Sequence, residues 1–158
     1  MRYVECPIIG GYQQSVDGKL GAMIGGRHED YMVAKDILLP CCKRIERIGA
    51  LGMGAKAKLI SNFLALGTAS LAIESLRAAK NLGVDWEKFY NLTSLGVGSS
   101  KSLDRIAPKA IKEKYDSYGF TIDNTTKDLQ YMPKLFKLDK RLRKIKRPIL
   151  KIYQEDKL

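Results

Sequence analysis

The sequence is poor in the residues that build metal and disulfide sites. It has one histidine, His28, and three cysteines, Cys6, Cys41 and Cys42, without a C-x-x-C pair. An odd number of cysteines argues against a disulfide framework, and no pair of cysteine or histidine residues has zinc-ligand spacing. We therefore predict no bound metal and a reducing, cytoplasmic compartment.

Long uncharged apolar runs are also scarce. The longest, Leu59–Ile73, has fifteen residues and is interrupted by Ser61, Asn62 and Thr68. A membrane-spanning helix needs about 20 apolar residues. The first eleven residues lack the charged region and apolar core of a signal peptide. The pattern predicts a buried helix and no membrane association.

Charge is unevenly distributed along the chain. Lysine and arginine total 28 against 17 acidic residues, a net charge of +11. The segment Lys134–Lys151 alone holds nine basic residues and one acidic residue. Apolar residues recur there at helical intervals, which favours two amphipathic helices with solvated basic faces. The alternative is a module that binds nucleic acid through phosphate contacts.

The first fifty residues are predicted to form a ββαβ segment. Strands over Arg2–Ile9 and Lys19–Ile24 each end on a glycine pair. A helix is expected over His28–Cys42, ended or bent by Pro40, followed by a weaker strand over Arg44–Ile48.

The remainder is predicted to be helical. A long helix over Ala57–Leu82 is expected to end at a left-handed glycine, Gly83, and Asp85 is expected to cap the next helix. Further helices are predicted over Ser102–Tyr118, Thr125–Leu142 and Ile145–Tyr153.

A glycine-rich string before the long helix matches part of a dinucleotide fingerprint. Gly52–Ala57 reads G-x-G-x-x-A, and Glu74 lies about 20 residues further on, where the fingerprint has its acid. A Rossmann unit, however, needs a second parallel strand after its helix. Here Glu74 lies within the helical run and another helix follows, so we predict that this string is not a self-contained dinucleotide site.

A longer pattern includes this string. It runs from Gly49 to Asn62 as G-x-x-G-x-G-x-x-x-K-x-x-x-N. Lys58 and Asn62 are four residues apart, so they lie on one helical face. One interpretation is that Lys58 and Asn62 are ordinary solvent-exposed polar residues on an amphipathic helix. The apolar character of the surrounding helix favours the other, a functional pair.

Further motifs precede and follow this pattern. Glu5–Gly11 reads E-C-P-I-I-G-G, and Gly18–Gly26 continues as G-x-L-x-x-M-x-G-G. After the Gly49–Asn62 pattern come A-I-E-S-L around Glu74 and F-x6-K-D-L over Phe120–Leu129. In this order, across nearly the whole chain, these motifs resemble those of the β-hydroxyacid dehydrogenases. That family includes 3-hydroxyisobutyrate dehydrogenases and, more distantly, 6-phosphogluconate dehydrogenase.

The resemblance implies an activity and roles for five residues. The reaction is the NAD- or NADP-dependent oxidation of a small β-hydroxyacid, or reduction of its semialdehyde. Lys58 would be the general acid/base at the substrate hydroxyl, and Asn62 would hydrogen-bond the substrate. The backbone N–H groups of Gly10 and Gly11 would receive the substrate carboxylate, and Lys127 would lie beside the nicotinamide.

The resemblance also implies a fold, which is α+β and mostly α. Residues 1–50 would be a ββαβ remnant of a Rossmann domain, carrying the substrate-binding glycine pair. Residues 51–158 would form an all-helical domain like the C-terminal domain of 6-phosphogluconate dehydrogenase, used for substrate binding and oligomerisation. Because the G-x-G-x-x-G turn of the Rossmann domain is missing, we expect the chain alone to bind no cofactor and to be inactive. A non-catalytic oligomerisation remnant is the alternative.

Two further expectations concern specificity and assembly. Ile9 stands where the family has a substrate-contacting serine, which removes a hydroxyl donor from the carboxylate site. The long helix carries apolar residues on more than one face, which predicts a homo-oligomer.

Overall fold

The computed structural model describes residues 2–114, 125, 127, 130–132 and 140–155. It divides into two compact units, Met1–Asn62 and Phe63–Leu158. The described part is mostly helical with one three-stranded sheet, which confirms the mostly α prediction. The first ten residues of the long helix, Met53–Asn62, belong to the same unit as the sheet. The division between the units thus lies at residue 62, whereas the sequence predicts a boundary at residue 50.

The first unit is built on a mixed sheet in the order β1-β2-β3. β1 (Ile8–Ile9) pairs antiparallel with β2 (Leu20–Gly25), and β2 pairs parallel with β3 (Cys42–Gly49). Helix α2 (His28–Leu38) connects the parallel pair, and a short helix, α1 (Tyr12–Val16), connects β1 to β2.

The sequence prediction differs from this sheet at its first strand. The strand expected over Arg2–Ile9 is reduced to β1 and an isolated bridge between Glu5 and Gly25. Pro7 lies between them and has no N–H to contribute to a ladder. Its carbonyl still accepts from the Met23 N–H at 2.9 Å.

The core of the first unit lies on one side of the two parallel strands. Leu20, Ala22 and Ile24 of β2 are buried with Cys42 and Ile45 of β3. Residues of α2 pack against this cluster: Tyr31, Ala34 and Leu38.

Helix α3 spans Met53–Asn81, beginning four residues before the predicted start. One side of it is buried: Leu66, Ala69, Ala72, Leu76 and Ala79. The opposite side carries an apolar row, the outer stripe, formed by Ile60, Leu64 and Leu71, which are 53%, 67% and 70% exposed. At 100° per residue these three side chains fall within one narrow sector of the helix.

The same helix is long and apolar enough to cross a membrane by length and composition alone. Core helices of water-exposed domains meet that criterion too; in α3, 28% of the apolar window is buried, and the buried residues lie on one side of the helix.

The second unit adds three described helices to α3. They are α4 (Trp86–Thr93), α5 (Lys101–Ile111) and α6 (Lys140–Glu155). The predicted N-cap is confirmed, since the Asp85 carboxylate accepts from the Lys88 N–H at 2.8 Å. Ser100 caps α5 in the same way at 3.0 Å.

The predicted C-terminal helices differ in their bounds. The break expected between Leu142 and Ile145 does not occur, because α6 continues across it and through Pro148. The helix predicted over Ser102–Tyr118 is shorter than expected, because α5 ends at Ile111 and residues 112–114 are not helical. Residues 115–118, and most of the helix predicted over Thr125–Leu142, lie outside the described residues.

Packing in the second unit joins α3 to α4 and α5. Its buried cluster consists of Ala72, Leu76, Leu103, Ala107 and Ala110. The Trp86 indole N–H donates to the Leu76 carbonyl at 2.6 Å, and the Lys80 ammonium lies 5.5 Å from the centre of the Trp86 ring system.

Candidate active site

Lys58 and Asn62 lie one turn apart on the first half of α3. Both side chains are half-buried, whereas neighbouring Lys56 is exposed. The structure therefore places the two residues on one helical face, as their spacing predicts. Their catalytic and substrate-binding roles stay predictions.

The start of α3 is held by Glu5, a residue to which the sequence analysis gave no role. One carboxylate oxygen of Glu5, Oε1, accepts from the N–H of Gly54 at 2.7 Å and from that of Ala55 at 3.2 Å. The contact is a tertiary N-cap, in which a negative charge lies at the positive end of a helix. The partners are 49 and 50 residues apart, so local spacing could not indicate it. The only available signal was the acid that opens the Glu5–Gly11 motif.

Two glycines make room for this carboxylate. A Cβ added to Gly25 would collide with Glu5 Oε1, and one added to Gly54 would lie 2.5 Å from the Met23 carbonyl oxygen and 3.2 Å from Glu5 Oε1. Such separations are shorter than the van der Waals contacts of carbon. Glycine at both positions is therefore required by packing.

The Gly52–Ala57 turn does not fit the pyrophosphate of a dinucleotide. A pyrophosphate at a helix N-terminus needs free backbone N–H groups. The N–H groups of Gly54 and Ala55 already donate to the Glu5 carboxylate. A cofactor phosphate would have to displace the Glu5 carboxylate, which is also negatively charged.

The predicted substrate-carboxylate site lies at Gly10 and Gly11. Gly10 has φ +134, and a Cβ there would lie 2.7 Å from Leu20 Cδ2. The Gly11 N–H donates to Gln14 Oε1 at 2.9 Å. A substrate carboxylate bound at Gly11 would therefore replace the Gln14 side chain, a residue that the sequence analysis did not identify. Ile9, in the position of the family serine, is 38% exposed.

Lys127, the predicted cofactor-side lysine, is exposed in the second unit. The other members of its motif, Phe120, Asp128 and Leu129, lie outside the described residues. Its role stays a prediction.

The three cysteines are free thiols in the first unit. Burial raises the pKa of the Cys42 thiol, and a hydrogen bond with Cys41 adds to the effect. Burial also raises the pKa of Cys6. A protonated thiol is a poor nucleophile and metal ligand. Across the described ranges, no group of three histidine, cysteine or acidic side chains is arranged to hold a metal ion.

Two family profiles cover most of the chain. One, described as NAD-binding of NADP-dependent 3-hydroxyisobutyrate dehydrogenase, matches residues 52–141. The other, described as the NAD-binding domain of 6-phosphogluconate dehydrogenase, matches residues 1–50.

Curated relatives match over about four fifths of the chain. L-threonate dehydrogenase of Cupriavidus necator is 28% identical over 127 residues, which are 80% of this chain and 42% of the relative. A probable mitochondrial 3-hydroxyisobutyrate dehydrogenase-like protein of Arabidopsis thaliana is 30% identical over 126 residues, 80% of this chain and 37% of the relative. The chain thus spans less than half the length of these relatives.

Solved structures share the fold. The 3-hydroxyisobutyrate dehydrogenase of Mycobacterium tuberculosis with L-serine has a TM-score of 0.82 at 20% identity, covering 96% of this chain and 54% of that one. The 3-hydroxyisobutyrate dehydrogenase of Salmonella typhimurium has a TM-score of 0.83 at 20% identity, covering 96% and 53%.

Proposed function

The chain belongs to the β-hydroxyacid dehydrogenase family, and on that premise we propose that it carries the substrate-side chemistry of an NAD(P)-dependent oxidoreductase. The substrate class is a small β-hydroxyacid or the corresponding semialdehyde. One observation supports this most strongly. The complete G-x-x-G-x-G-x-x-x-K-x-x-x-N pattern lies at the start of α3, with Lys58 and Asn62 half-buried on one face.

In this proposal the chain binds the substrate and moves a proton. The Lys58 amine exchanges a proton with the substrate hydroxyl, and the Asn62 amide orients that hydroxyl. The backbone at Gly10 and Gly11 receives the carboxylate once the Gln14 side chain is displaced from the Gly11 N–H. The Gly52–Ala57 turn does not fit a pyrophosphate. We therefore assign only substrate binding and proton transfer to Lys58, Asn62 and the Gly10–Gly11 backbone.

Hydroxy acids are expected to bind weakly at this site. We expect a ¹⁵N NMR titration with L-threonate or 3-hydroxyisobutyrate, the acids in the relatives' names, to shift signals of Gly11, Gln14 and the Asn62 side chain. Lys58→Met should abolish these shifts, because it removes the charge that faces the substrate. Lys56→Met removes an exposed charge two residues away and serves as the matched control. Equal shifts in both variants would contradict the assignment.

The purified chain is expected to bind neither NAD nor NADP with micromolar affinity. The physical reason is the Glu5 carboxylate, which already occupies the amides of the Gly52–Ala57 turn. Isothermal titration with each cofactor measures this directly. Micromolar binding would show that the rejection of Gly52–Ala57 as a dinucleotide site is wrong.

We also propose that the chain forms a homo-oligomer through the outer stripe of α3. Ile60, Leu64 and Leu71 are each more than half exposed in the single chain. Exposed apolar side chains grouped on one face often mark a protein–protein interface. A second copy of the chain would supply an equivalent row, as in symmetric dimers.

Two other interpretations receive less support. The named relatives above are dehydrogenases, which does not favour a non-catalytic oligomerisation remnant. In α6, Ile149 Cδ1 lies 3.4 Å from where a Cβ on Gly67 would stand, so Ile149 packs against α3. The exposed residues Arg141, Lys144 and Arg147 then fit the predicted solvated basic face, and nucleic-acid binding is not proposed.

A further inference from the structure

We propose that Glu5 is a positioning residue for Lys58. Its carboxylate fills the anion site at the start of α3 from within the chain, and so fixes the helical turn that carries the lysine. The proposal rests on the proposed function only in giving Lys58 the proton transfer. The contact itself is independent of that role.

The first four amides of α3 show why a remote cap is needed. A helix leaves its first four N–H groups without intrahelical partners. Here the Met53 N–H donates to the Ala50 carbonyl at 3.1 Å, and the Lys56 N–H donates to the Gly52 carbonyl at 3.2 Å. The two amides between them, of Gly54 and Ala55, donate to Glu5. With Glu5 as acceptor, each of the first four N–H groups of α3 has a hydrogen-bond partner.

The local sequence offers no substitute for Glu5. The residues just before α3 are Gly49-Ala50-Leu51-Gly52. None of them has a side-chain oxygen, and serine, threonine, aspartate and asparagine are the residues that cap helices locally. Without Glu5 the two amides would lose their acceptor, and the first turn would fray.

The backbone of Glu5 is itself fixed to the sheet. The Glu5 N–H donates to the Gly25 carbonyl at 3.0 Å, and the Gly25 N–H donates to the Glu5 carbonyl at 3.1 Å. The missing side chains of Gly25 and Gly54 leave the slot that the carboxylate occupies. Glu5 therefore ties the end of β2 to the start of α3.

Lys58 depends on this tie through the helix. It lies three residues after Ala55, about one turn along α3. In a regular helix its own N–H donates to the Gly54 carbonyl, so the peptide groups around Gly54 support the backbone of Lys58. If the first turn frays, the direction of the Lys58 side chain is no longer fixed.

Glu5→Ala is the direct test, with amide hydrogen exchange as the first measurement. We expect protection at Gly54, Ala55 and Lys58 to fall about tenfold or more, the loss expected when a charged hydrogen-bond acceptor is removed. Protection at Leu76, late in the same helix, should not change. Glu74→Ala is the matched control, since it removes an acid of α3 that pairs with Arg77 at 2.9 Å and does not touch the first turn.

Two further measurements separate positioning from a general loss of stability. Acetate, a free carboxylate, should restore protection in Glu5→Ala, whereas chloride at equal ionic strength should not. Labelling by an amine-reactive reagent should favour exposed Lys56 over half-buried Lys58 in the wild type. In Glu5→Ala the two rates should approach each other, and acetate should separate them again.

Either of two results would overturn the proposal: an unchanged labelling ratio in Glu5→Ala, or equal effects of acetate and chloride. If Glu5→Ala does not fold, Glu5→Gln keeps an acceptor oxygen without its charge and should show the same changes at smaller size. An unaltered Glu5→Gln would then overturn the proposal. Success here together with a failed hydroxy-acid titration would refute the proposed function and leave the positioning role intact.

Discussion

Replacing Leu64 and Leu71 together with glutamate is expected to convert an oligomer into a monomer of 17.7 kDa. Both side chains belong to the outer stripe and are 67% and 70% exposed in the single chain. In an interface they would bring four unpaired carboxylates per dimer out of water, at several kcal/mol. Since 1.4 kcal/mol is a factor of ten, the dissociation constant should rise by about 10³-fold or more.

Sedimentation equilibrium at micromolar concentration measures this change. The control is the pair Leu92→Glu and Leu95→Glu, which adds the same charge at residues that are 74% and 84% exposed but lie off α3. It should leave the mass of the assembly unchanged. A wild type that sediments as a single 17.7 kDa species would refute oligomerisation. A mass that rises without limit would indicate nonspecific association instead.

Leu76→Ala is expected to lower the free energy of unfolding by about 2–5 kcal/mol, the range for removing a buried leucine side chain. Leu76 is 3% exposed and packs in the cluster with Leu103 and Ala107. Domains are stable by only about 5–15 kcal/mol, so this is a large fraction of the total. Urea denaturation at one fixed protein concentration measures the loss, because oligomer stability depends on concentration.

Leu92→Ala is the matched control for this substitution. It removes the same atoms from a side chain that is 74% exposed, so the free energy of unfolding should change by less than about 0.5 kcal/mol. Equal losses in the two variants would show that the second unit is not organised around the cluster on the buried side of α3.

Several features of the fold could be predicted from short stretches of sequence. The long helix, the Asp85 cap and the shared face of Lys58 and Asn62 each depend on residues within one or two turns of each other. Motif order across the chain was enough to identify the family, which the profile matches confirm. Bounds were less accurate at the first strand, where Pro7 interrupts the pairing predicted over Arg2–Ile9.

Local periodicity and motif spacing are therefore enough to establish a mostly helical chain, its main helix and its family. The groups that surround the candidate site residues are known only from contacts between residues far apart in the sequence. Glu5 reaches amides about fifty residues away, and a hydrogen bond across that separation leaves no periodic trace in the sequence. Gln14 lies at the Gly11 N–H because α1 forms there, a five-residue helix too short to show a pattern. The division of α3 into a buried side and an outer stripe follows from which neighbours pack against it, since leucine and alanine occur on both sides.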